Sequence, residues 1–176
     1  STLYGLERKL KPYGREPHSI IGSTSIGASI IGGICNNAGG SLVQRGPSYT
    51  EMALYARISK TGKLELVNEL GINLGSNPEE ILDNLQNQNY DESDIHETDQ
   101  LGSDNKYSEI VREIDKNTPA RYNSDSRLLY GASGSAGKIA VFAVRLDTYV
   151  SPTENKVFYV VTNNPDLFWK IRSAIL

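Results

Sequence analysis

The sequence predicts an α+β fold, an antiparallel sheet with flanking helices, and three observations carry that expectation. Apolar and polar residues alternate on both sides of a Lys60-Thr61-Gly62 turn; β-branched and aromatic residues fill 139–146 and 157–162 around a turn-forming segment; and stretches with helical spacing are grouped between and beside these strand pairs. No internal repeat interrupts the pattern.

Leu3, Leu6, Leu10 and Tyr13 recur at helical spacing with Glu7, Arg8, Lys9 and Lys11 between them, so residues 2–13 read as an amphipathic helix stopped at Gly14. Residues 17–46 break all periodicity. They hold Gly22, Gly27, Gly32, Gly33, Gly39, Gly40 and Gly46 among Ser, Ala, Asn and Ile with almost no charge. No amphipathic helix or alternating strand explains that composition. A glycine lacks a Cβ and lets peptide N–H groups approach a bulky ligand, so the stretch reads as the wall of a cofactor groove, with a loop packed on its own domain as the alternative. The first helix is expected to pack beside this wall.

Met52, Leu54, Ala56 and Ile58 alternate with their neighbours, as do Leu64, Leu66 and Leu70, which makes residues 51–70 an antiparallel hairpin. Asn77-Pro78-Glu79-Glu80 sets a cap, a first-turn proline and two carboxylates before Ile81, Leu82 and Leu85, which predicts a helix over 78–87. From Asn87 to Lys106 the chain carries Asp91, Glu92, Asp94, Glu97, Asp99 and Asp104 against the single base Lys106, and a mobile acidic excursion is expected there. Helical spacing returns with Tyr107, Ile110, Val111 and Ile114 and should end at Pro119. Residues 139–146 and 157–162 are expected to pair as a second hairpin, followed by a helix opening at Asn164-Pro165-Asp166.

The 176 residues, 38% hydrophobic and 22% charged, fit one globular domain with a core of its own. A net charge of −3 offers no general attraction to phosphate polymers, so nucleic acid is not expected as a partner. The single Cys35 cannot form an internal disulfide, and no apolar run approaches the roughly 20 residues of a membrane helix. Neither histidine stands at ligand spacing from Cys35, so no metal site is expected. His18, at the entrance to the glycine wall, reads first as a histidine bonded to local backbone, with a hydrogen bond near a cofactor as the alternative; His96 lies in the acidic excursion and should be solvated. Gly131-Ala132-Ser133-Gly134-Ser135-Ala136-Gly137-Lys138 invites a phosphate-loop reading. It fits poorly, because Ile139 replaces the required Ser or Thr and a strand follows where a helix is needed.

The run IGASIIGGICNNAGGSLVQRGPSYTEMALYARI closely resembles the second half of the FAD-binding domain in the vanillyl-alcohol-oxidase (PCMH-type) flavoproteins. With LERKLKPYGREPHS before it and NTPARYN and AGKIAVFAVRLDT after it, the chain is similar over nearly all its length to the membrane-associated, quinone-dependent, FAD-containing D-lactate dehydrogenases of bacteria. The resemblance implies that residues 1–176 are a partial FAD-binding domain, the second subdomain, belonging to a longer enzyme. A separate pyrophosphate-loop subdomain and a substrate domain would lie outside it and bring the catalytic base, so no residue here is assigned a catalytic role.

Carried over position by position, the resemblance implies cofactor contacts at Gly22, Ser23, Ser29, Gly33, Gly39 and Val141, the last through backbone; Gly27, Gly32 and Gly40 are read as structural. It also implies FAD as cofactor and D-lactate and quinone as partners. The implied location is the cytoplasmic face of the bacterial inner membrane, with membrane contact made outside this stretch. The alternatives are a free-standing nucleotide-binding module built on Gly131–Lys138 and a non-catalytic interaction domain built on the acidic excursion.

Overall fold

The computed structural model describes residues 1–17, 27–39, 42–113, 116 and 125–175. Helix α1 (Leu3–Leu10) is capped by Thr2, whose hydroxyl accepts from the Gly5 N–H at 3.1 Å, and a 3-10 turn over Lys11–Tyr13 extends it. Gly14, at φ +62°, ends it in the left-handed region. Strand β1 (Arg15–Pro17) follows.

The glycine-rich stretch contains a helix that its composition does not suggest. Helix α2 (Ile30–Cys35) has two glycines and three β-branched isoleucines in six positions, a poor set on propensity alone. Tertiary contacts override that preference. The Ser29 hydroxyl caps its start by accepting from the Gly32 N–H at 3.0 Å, and its last carbonyls receive N–H groups from the loop after Tyr130. As expected, α1 lies beside it: the Leu3 N–H donates to the Ala28 carbonyl at 2.9 Å and Thr2 bridges Ser29.

Strands β2 (Ala53–Ile58) and β3 (Leu64–Asn68) form the expected hairpin, with Ala56 opposite Leu66 and Gly62 at φ +79° in the turn. Helix α3 (Pro78–Asn87) occupies the residues that its capping sequence predicts: the Asn77 side chain accepts from the Glu80 N–H at 3.0 Å. Helix α4 (Tyr107–Ile110) is a single turn, and Ile114 and Pro119 lie outside the described residues. The polar stretch between α3 and α4 runs mostly exposed along the surface. A 3-10 turn over Glu92–Asp94 and an Ile72–Ile95 bridge tie it to the body, and the Glu51 N–H donates to the Leu101 carbonyl at 2.8 Å.

Strand β4 (Ala140–Val144) corrects the second expected hairpin. It pairs antiparallel with β2, placing Val141 opposite Tyr55, and completes a sheet in the order β3-β2-β4. Residues 157–162 are not a strand and stand in solvent, Tyr159 at 92% exposure. Strand β5 (Thr148–Val150) instead pairs with β1. Local pattern marks residues able to form a strand but not the strand they pair with, and the free edge of β2 took β4. The chain closes with helix α5 (Phe168–Ile175), entered through a 3-10 turn that Asn164 caps.

The central sheet is covered on both faces. Ala53 and Tyr55 face α2, where Ile34, Ala132 and the partly buried Val141 fill one core; Leu54, Leu70 and Leu74 meet Ile81, Leu82 and Leu85 of α3 in a second. Two buried tyrosines, Tyr55 in the first core and Tyr49 ahead of β2, donate their hydroxyls to the carboxylates of Glu69 and Glu51. Burial, then the bond from its hydroxyl to Glu51 at 2.8 Å, raises the Tyr49 phenol well above its ordinary range; burial and Glu69 raise Tyr55. Unfolded tyrosine ionises near pH 10, so the stability these neutral phenols contribute is full below about pH 10 and is lost as pH rises from there through the folded-state values. In an alkaline titration, the absorbance step coinciding with loss of circular dichroism should therefore shrink in Tyr49→Phe.

Candidate cofactor groove

Ser29 and Gly33 lie one turn apart at the start of α2 and within it. The Ser29 oxygen is engaged by the Gly32 N–H, and a Cβ on Gly32 would fall 2.6 Å from it, so Gly32 is where the helix start needs no side chain. The Gly33 N–H donates to the Ser29 carbonyl at 3.1 Å, and its own carbonyl accepts from Ala38 at 2.8 Å. Both main-chain groups of Gly33 are thus engaged within the chain, and the residue is buried. Gly39 follows the helix and is half-buried. Gly22, Ser23, His18 and Gly40 lie outside the described residues.

Val141 turns its side chain into the core with Ile34 and Ala53. Among the described residues β4 is an edge strand, paired only on its β2 side, so its other edge presents backbone groups. Beside that edge runs a groove of about 410 Å³ between α1, α2, β4 and β5. Leu6, Ile30, Ile31, Phe142 and Val144 give it apolar walls, and Lys9 and Asp147 stand at it as charged side chains. Ser29, Gly33 and Val141 are not lining residues themselves: Ser29 and Val141 are next in sequence to Ile30 and Phe142, and the buried Gly33 lies one turn beyond Ile30.

Three features of this region carry no sequence signal. The Arg45 guanidinium pairs with Glu16, donates to the Pro17 carbonyl at 3.1 Å and stacks 4.4 Å from the Tyr149 ring centre, holding β1 and β5 to the end of the glycine stretch. The Ser133 hydroxyl accepts from the Thr50 N–H at 3.0 Å and donates to the Thr50 carbonyl at 2.8 Å. The buried Asn37 donates its side-chain N–H to the Leu128 carbonyl at 2.9 Å. Their partners are 29, 83 and 91 residues apart in sequence for the Arg45–Glu16, Thr50–Ser133 and Asn37–Leu128 contacts, beyond the reach of any spacing rule.

No protein-family model matches the chain. It is 56% identical over all 176 residues to a protein of Escherichia coli (strain K12), 57% to one of Haemophilus influenzae and 48% to one of Corynebacterium glutamicum. All three are quinone-dependent D-lactate dehydrogenases. The chain spans 31% of the length of each of these curated relatives. The similarity to quinone-dependent D-lactate dehydrogenases read from the sequence is thus matched along the entire chain. The Gly131–Lys138 loop keeps the character expected of it: it is a series of turns with Gly131, Gly134 and Gly137 at positive φ, it leads into β4 rather than a helix, and Lys138 is exposed. His96 is exposed as expected, while Cys35 is free and half-buried. No described helix is long and apolar enough to cross a membrane.

Proposed function

We propose that this chain is the second subdomain of a PCMH-type FAD-binding domain in a respiratory D-lactate dehydrogenase. The observation that carries the reading is the 56–57% identity over every residue of the chain to enzymes of that name. The groove fits the group. Its volume lies in the range of small-molecule sites, about 300–1,000 Å³, and it combines flat apolar walls with an open strand edge. Bound FAD would accept the hydride from C2 of D-lactate and deliver the electrons to quinone.

The work of this chain is binding and orientation. Ile30, Ile31 and Phe142 cover ring faces and exclude water, the outer edge of β4 at Val141 offers backbone N–H and C=O groups to the polar ring edge, and Gly22, Ser23, Ser29, Gly33 and Gly39 let the chain approach closely. The pyrophosphate loop, the catalytic base and the contact with the cytoplasmic face of the inner membrane belong to other parts of the enzyme. The test is quinone-linked D-lactate oxidation by a full-length protein carrying this chain, purified with its flavin. D-lactate oxidation with stoichiometric flavin is expected; a flavin-free protein with no such activity would remove the reading. The 176 residues alone should lose flavin on dialysis, because the binding energy of the pyrophosphate loop is missing.

Lys138→Ala separates this reading from a nucleotide-binding module. An exposed lysine ahead of a strand should matter little, and D-lactate oxidation and flavin content are expected within about threefold of wild type. A genuine phosphate-loop lysine would be indispensable for nucleotide binding, which calorimetry with ATP on matched proteins would reveal.

A further inference from the structure

We propose that Asn37 is a positioning residue for the flavin: with Gly134 it latches the 130–138 loop onto the C-terminal end of α2 and so fixes the spacing between the two groove walls. This rests on the flavin reading above. The starting point is that α2 cannot stand by itself. A helix of six residues is far below the length at which helices persist unaided, and its final carbonyls need donors from elsewhere.

Those donors come from a loop far along the chain. The Gly134 N–H donates to the Ile34 carbonyl at 3.0 Å and the Ala136 N–H to the Cys35 carbonyl at 2.8 Å. Asn37 closes the latch from the other side. It sits in the left-handed region at φ +43°, 1% exposed, and its Nδ2 donates to the Leu128 carbonyl just before the loop. Among the described residues its Oδ1 meets no donor, and the bond to Leu128 is the one hydrogen bond the side chain makes. The fit leaves no slack: a Cβ on Gly134, itself at φ +67°, would lie 2.6 Å from Asn37 Nδ2 and 2.5 Å from Leu129 Cδ2.

The same loop then runs directly into β4. One end of it therefore holds the wall that carries Gly33 and Gly39, and the other end delivers the wall that carries Val141. Ser133, bonded both ways to the fully buried Thr50, pins the middle to the segment leading into β2. Loosening the Asn37 bond lets the walls move relative to each other without touching a lining residue.

The experiment uses full-length holoenzyme carrying this chain. Asn37→Asp keeps shape and left-handed tolerance but turns an acceptor toward the Leu128 carbonyl; Asn37→Gly keeps the backbone conformation and deletes the donor without adding charge. Asn36→Ser, at an exposed neighbour, is the control. The readouts are FAD affinity of the apoenzyme, the fine structure of the flavin absorption bands, and kcat against KM for D-lactate, all far below the melting temperature. At least tenfold weaker FAD binding and blurred bands are expected in Asn37→Asp, the same direction in Asn37→Gly, and wild-type behaviour in Asn36→Ser. A variant that merely melts earlier while its FAD affinity, spectrum and kcat stay at wild-type values would overturn the latch. If Asn37→Asp does not fold, the Asn37→Gly result decides alone. A wild-type protein without flavin would overturn the flavin reading itself and the latch with it.

Discussion

Gly39→Val in a full-length enzyme carrying this chain should abolish FAD retention while leaving a folded protein. The position follows the last turn of α2 in the glycine-rich stretch and is half-buried, and on the flavin reading a branched side chain there would occupy space that the cofactor needs. Lost flavin with wild-type far-ultraviolet circular dichroism is the expected pair of results, and D-lactate oxidation should fall to background. Gly62→Val isolates the conformational cost alone, because in that hairpin turn a new Cβ would meet nothing within 4 Å while φ is +79°. It should destabilise by about 1 kcal/mol and keep its flavin. Normal flavin content in Gly39→Val would assign the glycines a purely structural part.

Thr50→Val should lower stability by about 3 kcal/mol although it removes no volume. Thr50 is fully buried, its hydroxyl donates to the Arg145 carbonyl at 2.6 Å and accepts from the Met52 N–H at 3.0 Å, and it therefore serves one partly buried and one buried backbone group. Each orphaned buried group costs roughly 1–3 kcal/mol. For a chain of this size that corresponds to a melting-temperature drop on the order of 5–10 °C. A change under about 0.5 kcal/mol in chemical denaturation would show that the surroundings relax to supply other partners.

How much of the fold was legible in the sequence follows from the range of the interactions involved. The helix at 78–87 and the 60–62 turn were readable because Asn77, Pro78, Glu80 and Gly62 act on near neighbours in the chain. The pairing of β4 with β2 was not, since Val141 meets Tyr55 from a distant part of the chain that no local pattern spans. Helix α2 stayed hidden for the same reason, its stability being lent by Gly134 and Ala136. Ser29 and Gly33 could be singled out only through resemblance, and the groove beside them depends on Leu6 and Phe142 converging from opposite ends of the chain.

The run Val157-Phe158-Tyr159-Val160-Val161, left outside every sheet, has a colloidal consequence. These uncharged, β-prone side chains project into water, with Lys156 as the nearest charge in sequence. Backbone groups of such a segment pair readily with a second copy, and salts that strengthen apolar association favour it. Turbidity of the isolated chain should therefore be governed by concentration and sulfate rather than by the melting of its core, and a charge placed at Tyr159 would raise the solubility ceiling without altering any contact that holds the fold.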